Sequence, residues 1–545
     1  MKKKAQTIGQ GFVILSVSNI LVKLLSLVFV PLIRGLLGGD GGYSVYSSAY
    51  SVYAFVYVIA TAGFPVAISK LISELSKTDH RKEARRGFTL ARICLAVLGF
   101  VLMAVVMIFA KPIAGFMNNR DSWGGILCLA PTIFVCALLS GYRGYFQGRR
   151  NMRPTAVSQI VEQFVHVLIS AVLVIVLRKY GIVWAVAGAS LGTLGGALIS
   201  LVICVVEYGQ DKKIFYREID EEKKRRDLRS GDADVGDKEL LRRIFYYSLP
   251  LFISSAVQYG GDLIDSKMIK GGLVAAGFAE ESAGILHGRY MAMRQLINVP
   301  GALATALCIS VLPAVTACFA AKDKKGVSSN TQYGFKLCYL VAVPVAFMYC
   351  VFAGPIYKIL GYGDHIELLV LSSLSVILLC SIHLQSSVLQ GVNKMFTSSL
   401  FMSLCVIIKA ILNYFLIRIE AVNIYGAVIS TYVSYLVPFV LNLIVMKKNS
   451  KIEFSVLKAL APPVVASTGA AAGGLAVYGL LRLLLRGFLK GYLGYALAFV
   501  PGAVAAAAVY YFLIRKLGGL TEKDVREISP GAARILARID KVLHI

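Results

Sequence analysis

YFQGRRNM, residues 145–152, is answered 243 residues later by VLQGVNKM, residues 388–395. At the same offset AKPI at Ala110 meets AGPI at Ala353, and GF at Gly87 answers GF at Gly334 at an offset a few residues larger. Short echoes in a constant order and at a near-constant offset mark an internal repeat of two halves in the same orientation. Whatever flanks the echo must then belong to each half, and on both sides the flanks are apolar.

The chain of 545 residues is 57% hydrophobic and 16% charged, with a mean hydropathy of +0.70, whereas soluble domains are about 25% charged. Apolar runs long enough to cross a hydrocarbon core of about 30 Å recur throughout. They predict about 14 spans, from one near 10–36 to one near 491–514, with 43–69, 88–110, 334–356 and 367–390 among them. The fold class expected is an all-α polytopic membrane protein, with two parallel-repeat six-helix lobes plus two C-terminal helices. Parallel repeats are a standard transporter plan, with the substrate site at the repeat interface.

A formal charge of +27 would suggest nucleic acid on a soluble surface. Here the Lys and Arg residues concentrate in alternate loops and at the ends, which reports topology and predicts both termini to be cytoplasmic. The longest polar stretch, Asp211 to Arg243, reads as a solvated connector. The expected organisation is an N-terminal lobe over 1–210, a charged cytoplasmic connector over 211–242, a C-terminal lobe over 243–450, two more spans over 451–517, and a cytoplasmic amphipathic tail over 518–545. The run from Gln10 to Leu37 is too long for a secretory signal and reads as an uncleaved first span. The ten cysteines lack metal or redox spacing and read as small core residues.

SNILVKLLSLVFVPLIRG, residues 18–35, puts Lys23 about 20 Å from either end of its span, too far for its stem to snorkel. A charge at the centre of a span costs about 2.5–3.5 kcal/mol on insertion scales. Lys23 is therefore expected to line a wet cavity, with a buried ion pair as the plainer alternative. Similar charges are Arg289 and Arg294 on the eighth span and Lys409 on the eleventh. Glu162 and His166 on the fifth span share a helix face and are expected to pair locally or to relay protons. Asp262 and Asp265 on the seventh are neighbours able to hold a cation or to answer Arg294. Asn19, Gln295, Asn298 and Asn413 add uncharged hydrogen-bonding groups, while Arg92, near a span end, is expected to snorkel. No phosphate loop, HExxH, GxSxG or zinc spacing occurs, so neither an enzyme site nor a metal is expected.

GLLGGDGGYSVYSSAYSVYAFVYVIATAGFPVAISKLISE, residues 35–74, resembles the opening of the MurJ-like and stage V sporulation protein B-like branch of the multidrug/oligosaccharidyl-lipid/polysaccharide exporter superfamily. LLRRIFYYSLPLFISSAVQYGGDLIDSKMI at 240–269 and GRYMAMRQLINVPGALATALCISVLPA at 288–314 resemble the same branch. TAGFPVAISKLISE is the most specific piece. The resemblance implies a flippase, chiefly for lipid II, with two lobes around a cationic cavity and a lipid-tail groove formed by the last two helices. It implies roles for Lys23 as the basic residue of the first helix, for Arg294 and Gln295 before Pro300, and for Asp265 as the acid of the seventh helix. Departures are Val30 before Pro31, Asn298 at an acidic position, and Tyr57 where enterobacterial members have a basic residue.

The expected mechanism is alternating access, with Lys23, Arg294, Arg289 and Lys409 on the diphosphate of an undecaprenyl-linked saccharide and Gln295, Asn298 and Asp265 beside them. Glu162, His166, Asp262 and Asp265 are the candidates for coupling to Na+ or H+; no other cofactor is expected. The partners expected are the lipid-linked saccharide diphosphate, membrane lipids and the cell-wall synthesis machinery, in a monomer of the cell membrane that binds no nucleic acid. The alternatives are export of another lipid-linked polysaccharide or teichoic-type intermediate, and cation-coupled drug export. A multispanning polymerase or glycosyltransferase would need catalytic acids in a sizeable external loop, and the sequence has none.

Overall fold

The computed structural model describes residues 8–77, 80–226, 235–363, 365–449, 451–485 and 492–521. In chain order the helices are α1 (Ile8–Leu36), α2 (Asp40–Thr61), α3 (Phe64–Lys77), α4 (Arg81–Ile108), α5 (Ala110–Phe116) and α6 (Trp123–Gly148). Next come α7 (Arg153–Leu177), α8 (Ile182–Arg226), α9 (Asp237–Ala275), α10 (Glu280–Ala320), α11 (Lys324–Val351) and α12 (Ala353–Ile359). The last are α13 (Glu367–Ser372), α14 (Ser375–Gly391), α15 (Met395–Leu416), α16 (Tyr425–Ile444), α17 (Val456–Leu485) and α18 (Tyr492–Lys516). Among the described residues there is no strand. Among the described residues eleven helical stretches are long and apolar enough to cross a membrane. α1, α9 and α10, with 29, 39 and 41 residues, also exceed the roughly 20 a span needs. The chain is a multi-pass helical membrane protein.

The sequence echo has a structural counterpart. α4 and α11 each stop one residue before an aromatic, Phe109 and Phe352, and a helix of seven residues follows in both. AKPI and AGPI are the first turns of those short helices. α6 and α14 then end at Gly148 and Gly391, and two residues on the chain turns left-handed at Arg150 (φ 55) and Asn393 (φ 58). Asn151 N–H reaches back to the Phe146 carbonyl (2.9 Å), and Lys394 N–H to that of Leu389 (2.7 Å). This is a Schellman-type stop, which satisfies carbonyls that the helix end would leave unpaired.

Several expected spans are broken helices. The 43–69 segment is α2 and α3, separated at Ala62 and Gly63. Gly63 has φ +79, and a Cβ there would lie 2.4 Å from the Ser248 carbonyl oxygen of α9. The residue therefore needs both the left-handed backbone and the missing side chain. The spans expected at 88–110 and 334–356 break at Phe109 and Phe352, and that at 367–390 breaks after Ser372.

The expected connector is also largely helical. α8 runs 45 residues, about 68 Å, more than twice the hydrocarbon core. Its polar end docks on neighbouring helices. Arg149 holds Glu218 at 2.7 Å and Asp211 at 3.3 Å, and its guanidinium lies 4.5 Å from the Phe215 ring centre. The Tyr145 hydroxyl donates to Asp211 (2.7 Å), and Arg85 covers Tyr216 at 4.1 Å. Burial by itself would lower the Arg149 pKa; the Glu218 and Asp211 carboxylates outweigh it and raise the value. Residues 227–234 and the amphipathic tail expected beyond 521 lie outside the described residues.

The chain divides into two compact units, Met1–Ala292 with Val406–Ala427, and Met293–Cys405 with Val428–Ile545. The first has a core centred on Leu71, Ile72, Phe88, Tyr145 and Phe146. In the second, Phe335, Tyr339 and Phe352 are buried, Phe335 stacks on Phe454 at 4.9 Å, and Phe352 packs edge-on against Tyr478 and Phe499. The first unit holds α1 to α9, the start of α10, the end of α15 and the first residues of α16. All ten cysteines are free thiols, six of them buried.

Candidate functional site

Most of the ionisable groups singled out above lie in the first unit, where they are gathered into separate clusters. Asp265 on α9 is almost fully buried and pairs with the buried Lys409 of α15. Its other oxygen accepts from Asn413 Nδ2, one turn along α15, at 2.8 Å. Asp265 thus answers a lysine 144 residues away in sequence, and its ion partner is a tethered ammonium. Asp262, one turn earlier, is half-buried and engaged by its surroundings.

Arg289 on α10 also has an acid. Its Nε lies 3.1 Å from Asp40 Oδ2, while Arg34 at the end of α1 takes Asp40 Oδ1 at 2.6 Å. The close approach is built into the backbone: a Cβ on Gly288 would lie 1.9 Å from the Asp40 carbonyl oxygen. Asp40 opens α2 after Gly38 and Gly39, both at positive φ, so its carboxylate sits at the helix N-terminus, where negative charge is favoured.

Glu162 and His166, expected to pair with each other, have separate partners. Glu162 takes Arg143 of α6 at 2.6 Å, and the same guanidinium donates to Ser200 (2.9 Å) and Ser158 (3.1 Å). His166 meets Thr193 at 3.2 Å, with its ring 4.4 Å from that of Phe29. A neutral threonine and an aromatic ring suit a buried histidine, while the carboxylate goes to the charge facing it. Arg92, expected to snorkel, turns to Tyr142, whose hydroxyl accepts at 3.2 Å.

Lys23 is exposed on α1, and Asn19 one turn earlier is exposed as well. Arg294, Gln295 and Asn298 follow on α10 in the second unit, all half-buried, with Arg294 engaged by its surroundings.

One polar network escaped the sequence reading. His287 of α10 is fully buried between Ser44 of α2 (2.8 Å) and Ser266 of α9 (3.3 Å). Asn119, just before α6, donates to the Ser44 carbonyl (3.2 Å) and Ser48 Oγ (3.0 Å) and accepts from Lys270 (3.3 Å), which also faces Glu280 at 3.5 Å. The serines of α2 at helical spacing were the available signal, since hydroxyls repeated on one face of a span mark a packed polar seam. Arg143, not singled out in the sequence, lies inside α6 close to the basic residues that follow it.

A bundle built on a tandem repeat, with ionisable side chains held inside its spans, defines a membrane transporter. Residues 8–319, more than half of the chain, match the family model described as polysaccharide biosynthesis protein, and 290–415 match MatE, so the chain belongs to the polysaccharide biosynthesis protein family. It is 26% identical over 548 residues to the lipid II flippase MurJ of Bacillus subtilis (strain 168), covering 96% of this chain and 98% of that one. It is 26% identical over 364 residues to stage V sporulation protein B of the same organism, covering 66% and 67%. A solved structure of the lipid II flippase MurJ in an inward closed conformation superposes with a TM-score of 0.64 at 13% identity, over 92% of this chain and 99% of that one. The resemblance carried by the motifs is thereby upheld, and the chain is a transporter rather than an enzyme.

Proposed function

We propose that this protein flips an undecaprenyl-diphosphate-linked saccharide, lipid II foremost, across the cell membrane by alternating access of its two repeats, with both termini in the cytoplasm. The observation that carries the reading is the end-to-end similarity to a lipid II flippase, 26% over 96% of the chain. A diphosphate leaving water needs fixed cations, and charge-assisted hydrogen bonds to it are stronger than neutral ones. Lys23 and Arg294 are the cations we assign to it, with Gln295 and Asn298 as neutral hydrogen-bonding groups for the headgroup. Arg289 and Lys409 already face carboxylates, and we assign them to holding helices together. Carrying only the headgroup leaves the isoprenoid tail in hydrocarbon, where each CH₂ stays stabilised by about 0.8 kcal/mol.

The test is translocation of fluorescent lipid II in proteoliposomes. Wild type should flip it, and Lys23→Ala and Arg294→Ala should each slow flipping by an order of magnitude or more, as expected for losing a charge-assisted contact to a phosphate. No movement of lipid II by wild type would overturn the proposal; unimpaired flipping by both variants would overturn the cation assignment. The MatE match over 290–415 favours drug export as a second reading, and the same vesicles would show it by expelling a cationic dye instead.

A further inference from the structure

Five tyrosines, Tyr43, Tyr46, Tyr50, Tyr53 and Tyr57, repeat at alternating three- and four-residue steps and so share one face of α2. Their rings form a continuous ladder, with successive centroids 6.1, 5.9, 5.5 and 5.6 Å apart. Three rungs are packing: Tyr43, Tyr46 and Tyr53 are 4–6% exposed, and the Tyr53 hydroxyl lies against Cys136. Tyr50 differs. It is 38% exposed, although it sits between buried rungs at the middle of a 22-residue helix.

The surroundings of Tyr50 are polar. Glu162 of α7 and Tyr259 of α9 act electrostatically on its hydroxyl, and the same two groups, with Cys136 and Arg143, act on that of Tyr57, which is half-buried. The Glu162 side chain is 27% exposed. A carboxylate and partly exposed phenols at mid-span are costly against lipid, which favours a face that water reaches. Because Arg143 and Glu162 neutralise one another at 2.6 Å, this face gains no surplus positive charge from them for a phosphate. It offers a rigid aromatic face, a carboxylate to accept hydrogen bonds, and phenols that donate and accept. A sugar ring has the complementary chemistry, with an apolar face of C–H groups and a rim of hydroxyls.

We infer that the open face of Tyr50, backed by the ladder and flanked by Tyr57 and the Glu162–Arg143 pair, is a saccharide-binding face that holds a sugar ring of the cargo. This rests on the flippase reading above. The ladder fixes the ring in advance, so little side-chain freedom is lost on binding, and the sugar is held by groups other than the cations that take the diphosphate.

The test compares two probes, lipid II and undecaprenyl diphosphate without sugar, for binding to the purified full chain in nanodiscs. Wild type should hold lipid II more tightly than the bare diphosphate. Tyr50→Leu, which keeps bulk, should weaken lipid II on the order of tenfold, comparable to losing one stacked ring, and leave undecaprenyl diphosphate unchanged. Tyr50→Phe, which keeps the ring, should remain within about threefold of wild type, and its gel-filtration profile beside that of Tyr50→Leu checks the folding of both. Equal loss of both probes in Tyr50→Leu, or loss of neither, overturns the inference. So does a wild type that binds the two probes equally, an outcome that leaves the flippase reading standing. Binding of neither probe by wild type removes both.

Discussion

Asp265 and Lys409 each stand out in the sequence as a charge too costly to leave in lipid, and each on its own invites a role with substrate or ion. Folding joins them. With Asp265 1% and Lys409 6% exposed, neither has water as an alternative, so each is the other's solvent. Breaking such a pair from one side leaves an uncompensated buried charge, which costs about 3–5 kcal/mol, while removing both charges costs much less. Lys409→Ala should therefore lower thermal stability in detergent sharply, and adding Asp265→Asn should recover a good part of the loss. A double variant no more stable than Lys409→Ala would show that the pair does not act as one. Helical spacing correctly made Glu162 and His166 neighbours on one face. It could not reveal Arg143 of α6 facing Glu162, and an opposite charge prevails over a buried imidazole.

The break between α2 and α3 is written in TAGFPVAISKLISE, where Gly63 and Pro65 punctuate what hydropathy alone reads as one span. Gly63 is left-handed and its α-carbon packs against the Ser248 backbone, so any side chain there meets strain and a clash with main chain. Gly63→Val should cost about 1–2 kcal/mol for the left-handed backbone alone, and more from the overlap. The expected readout is a lowered melting temperature together with faster hydrogen exchange in 58–68 and in the facing turn of α9; unchanged exchange there would contradict the close approach. The long α8 was less legible. Its second half is polar, so hydropathy ends the span before the connector expected from 211, yet helical hydrogen bonding continues wherever neighbours can hold it. Among the neighbours that hold it is Arg149, whose partners lie 62 and 69 residues away in sequence.

The two halves of the chain stop equivalent helices with equivalent left-handed turns, at Arg150 and Asn393. If these are copies of one element, β-branched residues should be resisted equally at both. Arg150→Val and Asn393→Val are each expected to cost about 1–2 kcal/mol and glycine at either to be tolerated, as measured by thermal unfolding; a penalty at one site alone would argue against equivalence. That repeat and the all-helical membrane class were determined by the sequence alone, because hydropathy and chain punctuation act locally and keep their meaning wherever the chain goes. The partners of the buried charges were decided only by the tertiary structure. Whether Lys409 is a ligand or half of an ion pair, and whether Tyr50 is core or an open face, depends on which helix packs opposite. Those neighbours come from up to 249 residues away, as for Arg289 and Asp40, and no local pattern encodes them.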